Sequence, residues 1–418
     1  MIHTLFWSRA GGERQSLKLA AELQKLGHEV TIFTNGVNKE SYPDLFKKVF
    51  VEIIPHPFTG KLPKGLIPAA AQPEIDQKTF ERTEDALSLR KWMRRIVGRQ
   101  FYTSEFPAML ELGRKIPKEF DLINNHNFPT EWAAFFAKKR LKVPVVWMCN
   151  EPPFWFYNPS AKTGLNKINW PLFEILDKIS VNFIDDIMVL SRVGSGYVRT
   201  AYGRASKVVR TGVETDLLHS ASGEKVRKTY DLEKDFVILQ AGSIDPVKRQ
   251  IDTVQALHIL SKKYDHVKVI FDGPGSRREV EALARRLGVR EKVLFLHSNS
   301  DIELSQVYAA CDAFVYPSST STWGMGPTEA MGASKPVIVS KSAGASEVVE
   351  DGVTGLLVDF EKPEEIAKKV EFLINAPKIR QTIGQKAYEF VKNNLSWDKY
   401  AQRVEQVFLE TLRRSKQT

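Results

Sequence analysis

The sequence predicts an α/β protein of two domains, each a parallel sheet with helices on both faces. Three observations carry this reading. Short apolar runs alternate with helix-period segments along the whole chain, the pattern of strands buried on both sides by crossover helices. The series occurs twice in succession, which implies two Rossmann-like domains. With 418 residues the chain exceeds one ordinary core, and two domains of usual size accommodate it.

The first series places strands at 3–7, 29–34, 50–55, 121–125, 143–149, 186–190 and 207–211. The second places them at 236–242, 267–271, 292–296, 313–316, 336–340 and 355–358. Amphipathic helices at 13–26, 249–264, 277–287 and 364–375 lie between them. The boundary falls near 213–218, where the last strand of the first series ends, and a polar helix at 223–230 opens the second. The domains are therefore 1–215 and 216–394, with an amphipathic tail at 395–418 that crosses back onto the first. Sheets of this kind take ligands outside the carboxyl ends of their strands, so an interdomain cleft is expected. Residues 61–82 carry several prolines without periodicity and read as a long loop at the domain mouth.

Composition narrows the class. Hydrophobic residues make up 43% and charged residues 26% of the chain, as in globular proteins rather than disordered ones. The start MIHTLFWSR has the look of a strand and lacks a basic segment followed by a long apolar one. No apolar run approaches the roughly 18 residues that cross a bilayer. Cys149 and Cys311 are far apart in apolar surroundings and read as buried thiols in a reducing, cytoplasmic compartment.

Sixty basic against fifty acidic residues leave a net charge of +10, which favours anionic partners. Part of the excess is concentrated at Arg90, Lys91, Arg94, Arg95 and Arg99, interleaved with Leu89, Trp92, Met93, Ile96 and Val97. Residues 89–101 thus read either as a basic amphipathic helix on an anionic membrane surface or as a surface helix packed on its own core. No zinc, recognition-helix or aromatic RNA-platform motif accompanies the charge, so no nucleic-acid partner is expected.

The stretch WGMGPTEAMGASKPVIVSKSAGASEVVEDGVTGLLV, residues 323–358, is the most informative. Gly324, Gly326 and Pro327 suit a loop that approaches a ligand closely and opens a helix with proline near its first position. The N–H groups there, with the positive end of the helix dipole, suit a diphosphate. Glu329 falls in the first turn, where it either binds sugar hydroxyls or merely complements the dipole. Gly11 and Gly12 separate the first strand from the first helix, giving a backbone approach for phosphate or sugar, or only a tight turn. His126 ends the strand DLINNH at a carboxyl edge, where it can donate or accept near neutral pH. Lys248, in AGSIDPVKRQ, is placed to neutralise a diphosphate; alone, it is equally a surface lysine.

Together these pieces resemble the retaining GT-B glycosyltransferases of glycosyltransferase family 4. The resemblance runs through GGERQSLKLAAELQKLGHEVTIFT, DLINNHN, KVVRTGVETDLL, AGSIDPVKR, VIFDGPGSRREVEALARRLGV, residues 309–358 and the helix at Trp397. It implies a nucleotide-sugar donor held by the C-terminal domain and an acceptor held by the N-terminal one. By that resemblance Glu329 holds the donor ribose. Gly324, Met325, Gly326, Pro327 and Thr328 meet the donor, and Lys248 meets the diphosphate beside Gly11 and Gly12. His126 would lie near the transferred sugar. No metal or other cofactor is implied.

Two positions depart from the family pattern. The first glutamate of its paired-glutamate motif is Ser321 here, and the arginine after the strand glycine is Ser243. Arg249 is a candidate to replace the lost charge. The expected function is transfer of a hexose from a UDP- or GDP-sugar to a hydroxyl acceptor, a lipid-linked or surface glycan at the inner membrane face. A catalytically inactive nucleotide- or glycan-binding subunit, or a nucleotide-sugar epimerase, are the alternatives.

Overall fold

A computed structural model describes residues 1–6, 10–55, 101–152, 166–318 and 321–417. They form two compact units. Unit 1 comprises Met1–Val189, Tyr197–Lys207 and Gln402–Thr418, and unit 2 comprises Leu190–Gly196 and Val208–Ala401. The last stretch of unit 2 thus begins at Val208, a few residues before the expected divide at 213–218. Leu190–Gly196 group with unit 2 because Ser191 Oγ donates to the Thr322 carbonyl and the Glu347 carboxylate accepts from the Arg192 and Val193 N–H groups at 2.7 and 3.2 Å. At the other end, Thr411 Oγ1 donates to the Asp186 carboxylate at 2.5 Å. That contact lies within unit 1, so the helix Trp397–Ser415 divides at Gln402.

In unit 1, β1 (Thr31–Thr34) pairs in parallel with β2 (Phe50–Ile53). A second sheet has the order β3 (Ile123–His126), β4 (Val145–Met148), β5 (Asp186–Val189), β6 (Lys207–Val208). Of the expected strand at 3–7, the described residues 3–6 form no ladder strand, and residue 7 lies outside the described residues. Instead Ile2 bridges Phe33 on β1 and Asn125 on β3, and Phe6 bridges Val37, so the first residues fill the gap between β1 and β3. The strand expected at 207–211 shrinks to two residues. Each residue of β3, β4 and β5 is buried, as parallel strands covered on both faces require.

Beneath this sheet lies an acidic pair with no part in the sequence reading. Glu131, on the helix Thr130–Leu141, and Asp177, on the helix Asn166–Asn182, are both fully buried neighbours. Trp132 Nε1 and Tyr202 Oη donate to the Asp177 carboxylate at 3.3 and 3.0 Å. Burial raises both acids, Asp177 to about 6 and Glu131 well above its usual range, the latter also because Asp177 is near. Cys149 and Cys311 are buried free thiols.

Unit 2 contains one sheet of six strands: β7 (Phe236–Ala241), β8 (Val267–Asp272), β9 (Val293–Leu296), β10 (Ala313–Tyr316), β11 (Val337–Ser340) and β12 (Leu356–Val358). Its spatial order is β12-β11-β10-β7-β8-β9. After β7 the chain therefore builds outward through β8 and β9, then returns to the other side of β7 with β10. That reversal is a topological switch point, and open α/β sheets take ligands outside the strand ends there. Every residue of β7 is buried, and each fully buried Val, Ile or Leu contributes about 1.5–3 kcal/mol.

Candidate active site

The switch point in unit 2 is flanked by the segments that follow β7 and β10. After β7, Asp245 caps a short 3-10 turn, Pro246–Lys248. Its carboxylate accepts from the Val247 and Lys248 N–H groups at 3.0 and 3.2 Å and from the Ser243 hydroxyl. Gln240 Nε2 donates to the Lys248 carbonyl at 2.6 Å, and Thr253 Oγ1 holds Gln240 Oε1 at 2.7 Å. Ser318, beyond β10, donates to the Val247 carbonyl at 2.9 Å. The backbone of Lys248 is thus fixed from three sides, and its ammonium donates to Tyr316 Oη at 3.2 Å.

Beyond β10 the helix Met325–Gly332 begins two residues earlier than expected. Pro327 is consequently its third residue, and Glu329 lies past the first turn. Gly324 is the N-cap at φ 88°, ψ 106°. A Cβ there would lie 2.5 Å from Tyr316 Oη, so the glycine makes room for the phenol and meets the strained backbone angle together. Gly326 packs similarly: a Cβ would stand 2.8 Å from the Phe314 ring and 3.2 Å from the Ala241 carbonyl. Thr328 is buried, its hydroxyl donating to the Met325 carbonyl at 2.9 Å.

Glu329 is 7% exposed, and Tyr308 Oη donates to its Oε2 at 2.8 Å. A buried helix acid that only complements a dipole has no need of such a partner. Ser321 is buried and accepts from Tyr316 Oη at 2.9 Å. Arg249 is turned to another task. At φ 56° it ends the 3-10 turn and delays the next helix to Gln250–Ser261. Its guanidinium pairs with the buried Asp252 through two bonds, at 3.0 and 2.7 Å, and with Glu361 at 3.0 Å. Its charge is therefore already paired within unit 2.

The other expected residues lie in unit 1. Gly11 and Gly12 open the helix Gly11–Lys25, whose N-cap Ala10 supplies no side-chain bond. A Cβ on Gly12 would stand 2.9 Å from Asn127 Nδ2. Asn127 follows β3 at φ 62°, and its Oδ1 accepts from Asn150 Nδ2 at 2.6 Å. The same Asn150 amide donates to Gln15 Oε1 at 2.7 Å. This joins the glycine turn to the ends of β3 and β4 through a net of amides.

His126 ends β3 as expected but is fully buried. Its Nε2 lies 2.7 Å from Asn124 Oδ1, and the Asn124 amide nitrogen donates to the Val146 carbonyl at 2.9 Å. Asn124 thus presents its oxygen, so Nε2 carries the proton and Nδ1 is an acceptor with no partner among the described residues. Burial, then the charges of His3 and the N-terminus, hold His126 well below the usual histidine range. The imidazole is therefore held neutral, with one nitrogen protonated and the other left to accept.

The match to known proteins covers both units. Residues 10–213 match a glycosyl transferase 4-like domain, and residues 223–390 match glycosyl transferases group 1. An uncharacterized glycosyltransferase of Methanocaldococcus jannaschii, MJ1178, is 36% identical over 69% of this chain and 75% of its own length. The chain belongs to the glycosyl transferases group 1 family. The putative glycosyltransferase EpsD of Bacillus subtilis is 26% identical over 52% of this chain, which spans little more than half of that relative, 58%. Among solved structures, HepE of Anabaena with UDP and glucose superposes with a TM-score of 0.74 at 19% identity, over 98% of this chain and 99% of that one. That likeness gives the fold, the GT-B class.

In this member of the group 1 family, sequence reasoning missed Tyr316, Tyr308, Asn127 and Asn150. Tyr316 is the last residue of β10 and Asn150 lies just beyond β4, so the rule that strand ends present ligand-facing residues offered the signal. Residues 89–100, including the basic cluster, lie outside the described residues. No described helix is long and apolar enough to cross a membrane.

Proposed function

We propose that the chain is a retaining glycosyltransferase that moves a hexose from a UDP- or GDP-sugar to a hydroxyl acceptor. The observation that carries this is the meeting of Lys248 and the Gly324 helix start at one phenol, beside the switch point of unit 2. A diphosphate seated there faces an ammonium and the positive end of a helix. As the bond from the sugar to the diphosphate breaks, negative charge grows on the leaving oxygen, and fixed positive charge lowers that barrier. Glu329, steadied by Tyr308, accepts from ribose hydroxyls. Retention brings the acceptor in on the face the diphosphate leaves, so the acceptor proton passes to the departing diphosphate oxygen. His126, a neutral acceptor, orients a hydroxyl of the sugar or acceptor rather than carrying charge.

HepE, solved with UDP and glucose, favours UDP as the first nucleotide to try. UDP and GDP are compared as stabilisers in thermal melts, since a ligand at 100 times its Kd adds about 2.7 kcal/mol. Nucleotide release from the matching sugar donor is then measured with and without glycan acceptors. Release only with acceptor supports transfer. Binding without release supports the inactive-subunit reading, and epimerised donor supports the epimerase. The proposed acceptor is lipid-linked at the inner membrane face, a reading supported by the basic cluster at 89–101 alone. Binding to anionic vesicles that does not fall with salt would remove that support.

A further inference from the structure

We infer that Tyr316 positions Lys248, and that Ser321 serves this chain by holding Tyr316. The inference rests on Lys248 being the diphosphate lysine of the proposed function. The three side chains form a directional relay. Lys248 Nζ donates to Tyr316 Oη at 3.2 Å, and Tyr316 Oη, its proton thus directed away from the ammonium, donates to Ser321 Oγ at 2.9 Å. Lys248 Nζ also stands 5.7 Å from the centroid of the same ring.

Both ends of the relay are anchored. Tyr316 is 3% and Ser321 2% exposed, and the Ser321 carbonyl accepts from the Gly344 N–H at 2.9 Å. Gly344 itself leaves no room for a side chain, because a Cβ would stand 1.9 Å from the Thr322 carbonyl. Gly324, in turn, is the only kind of residue that fits against the phenol oxygen. The phenol therefore has one place to be, and the lysine, a flexible stem carrying a point charge, is directed from it.

The chemistry explains why a serine suits position 321. A hydroxyl accepts the phenol proton without adding charge, so the phenol lone pairs remain turned toward the ammonium. A neutral phenol orients an ammonium without neutralising it. A carboxylate at 321 would put a negative charge one hydrogen bond beyond the phenol and attract the ammonium toward itself. Ser321 is thus no vacant remnant of a sugar contact but the far end of a lysine support.

The test uses the full chain and two probes, UDP and GDP, with the matching monophosphate as control for the one that binds. Calorimetric titration compares wild type with Lys248→Ala, Tyr316→Phe, Ser321→Ala and the double variant Tyr316→Phe/Lys248→Ala. Lys248→Ala is expected to weaken diphosphate binding about 10- to 100-fold. Tyr316→Phe, which removes one oxygen, is expected to weaken it about tenfold while leaving monophosphate affinity nearly unchanged. The double variant is expected to match Lys248→Ala, since two residues acting through one ammonium are not additive. A merely structural tyrosine would weaken both probes and would add its effect in the double variant; either result overturns the inference. Ser321→Ala reaches the relay from its other end, with a smaller loss in the same direction, and decides the matter should Tyr316→Phe fail to fold. If Lys248→Ala alone is harmless, or neither diphosphate binds, the reading of Lys248 falls and the inference with it. If Lys248→Ala weakens binding and Tyr316→Phe does not, the inference alone falls.

Discussion

Replacing Glu329 by alanine separates a carboxylate that binds ribose from one that only supports the fold. The side chain is 7% exposed and accepts from Tyr308 Oη at 2.8 Å, so its removal has two consequences of different kind. Inside the protein, the buried Tyr308 hydroxyl loses its acceptor, which costs about 1–3 kcal/mol of stability. For a unit of this size that lowers the melting temperature by roughly 2–4 °C per kcal/mol. At the ligand, loss of hydrogen bonds from ribose hydroxyls to a charged acceptor costs about 1.5–3 kcal/mol, or roughly 10- to 150-fold in nucleotide Kd. Tyr308→Phe isolates the first effect, because the carboxylate stays while its internal donor goes. It should lower the melting temperature similarly and weaken nucleotide binding by less than about fivefold. Scanning calorimetry and isothermal titration with UDP and GDP read the two quantities separately. A cooperatively folded Glu329→Ala that binds nucleotide as tightly as wild type would refute the ribose assignment and leave Glu329 a structural acid.

Two further outcomes follow from unit 1. His126→Ala should lower kcat by about 10²-fold with nucleotide Kd nearly intact, and because burial holds the wild-type imidazole neutral, the kcat profile should show no histidine ionisation between pH 6 and 8; equal loss of turnover and nucleotide affinity would count against the role. The second concerns pH and stability. Glu131 and Asp177 have folded pKa values raised above their unfolded ones, Asp177 to about 6. Their stabilising contribution is therefore complete below the unfolded carboxyl range, about 4, and is lost as pH rises through 6 and beyond. Wild type should melt at a higher temperature at pH 5 than at pH 8, and Glu131→Gln, which cannot ionise, should flatten that slope. Parallel slopes for the two proteins would show that the pair does not titrate as described.

The fold was legible because its signals are local and repeated. The buried runs that became β4, β7, β8, β10 and β11 needed only apolar, β-branched composition and flanking helical periodicity to be placed. What failed was set by tertiary partners. The segment 3–7 has strand composition, yet the described residues 2–6 make isolated bridges, since Ile2 and Phe6 contact different neighbours. Arg249 carries helix-favouring chemistry but is left-handed at φ 56° because Asp252 and Glu361 bind its guanidinium there. The grouping of Leu190–Gly196 with unit 2 is likewise invisible locally, for these residues bond to partners more than a hundred positions away.

The candidate site is drawn in the sequence by charged and glycine residues, and its supports are ordinary side chains. Lys248, Glu329 and Gly324 stand out because few roles call for those types at such positions, whereas Tyr316, Tyr308 and Asn150 are ordinary residues whose work appears only once partners are known. The two serines illustrate this best. Read as departures, Ser243 and Ser321 are lost contacts. In the structure both lead to the same lysine: Ser243 bonds Asp245, which caps the turn and holds the Lys248 N–H, while Ser321 bonds the phenol that receives its ammonium. Holding a rotamer-rich side chain in place beforehand offsets about 0.5–1.5 kcal/mol of ordering on binding. Each lost charged contact costs about 1.5–3 kcal/mol. On the proposed reading, preorganisation recovers only part of what two missing charges remove, so this chain is expected to hold a donor more weakly than a chain with the full family set.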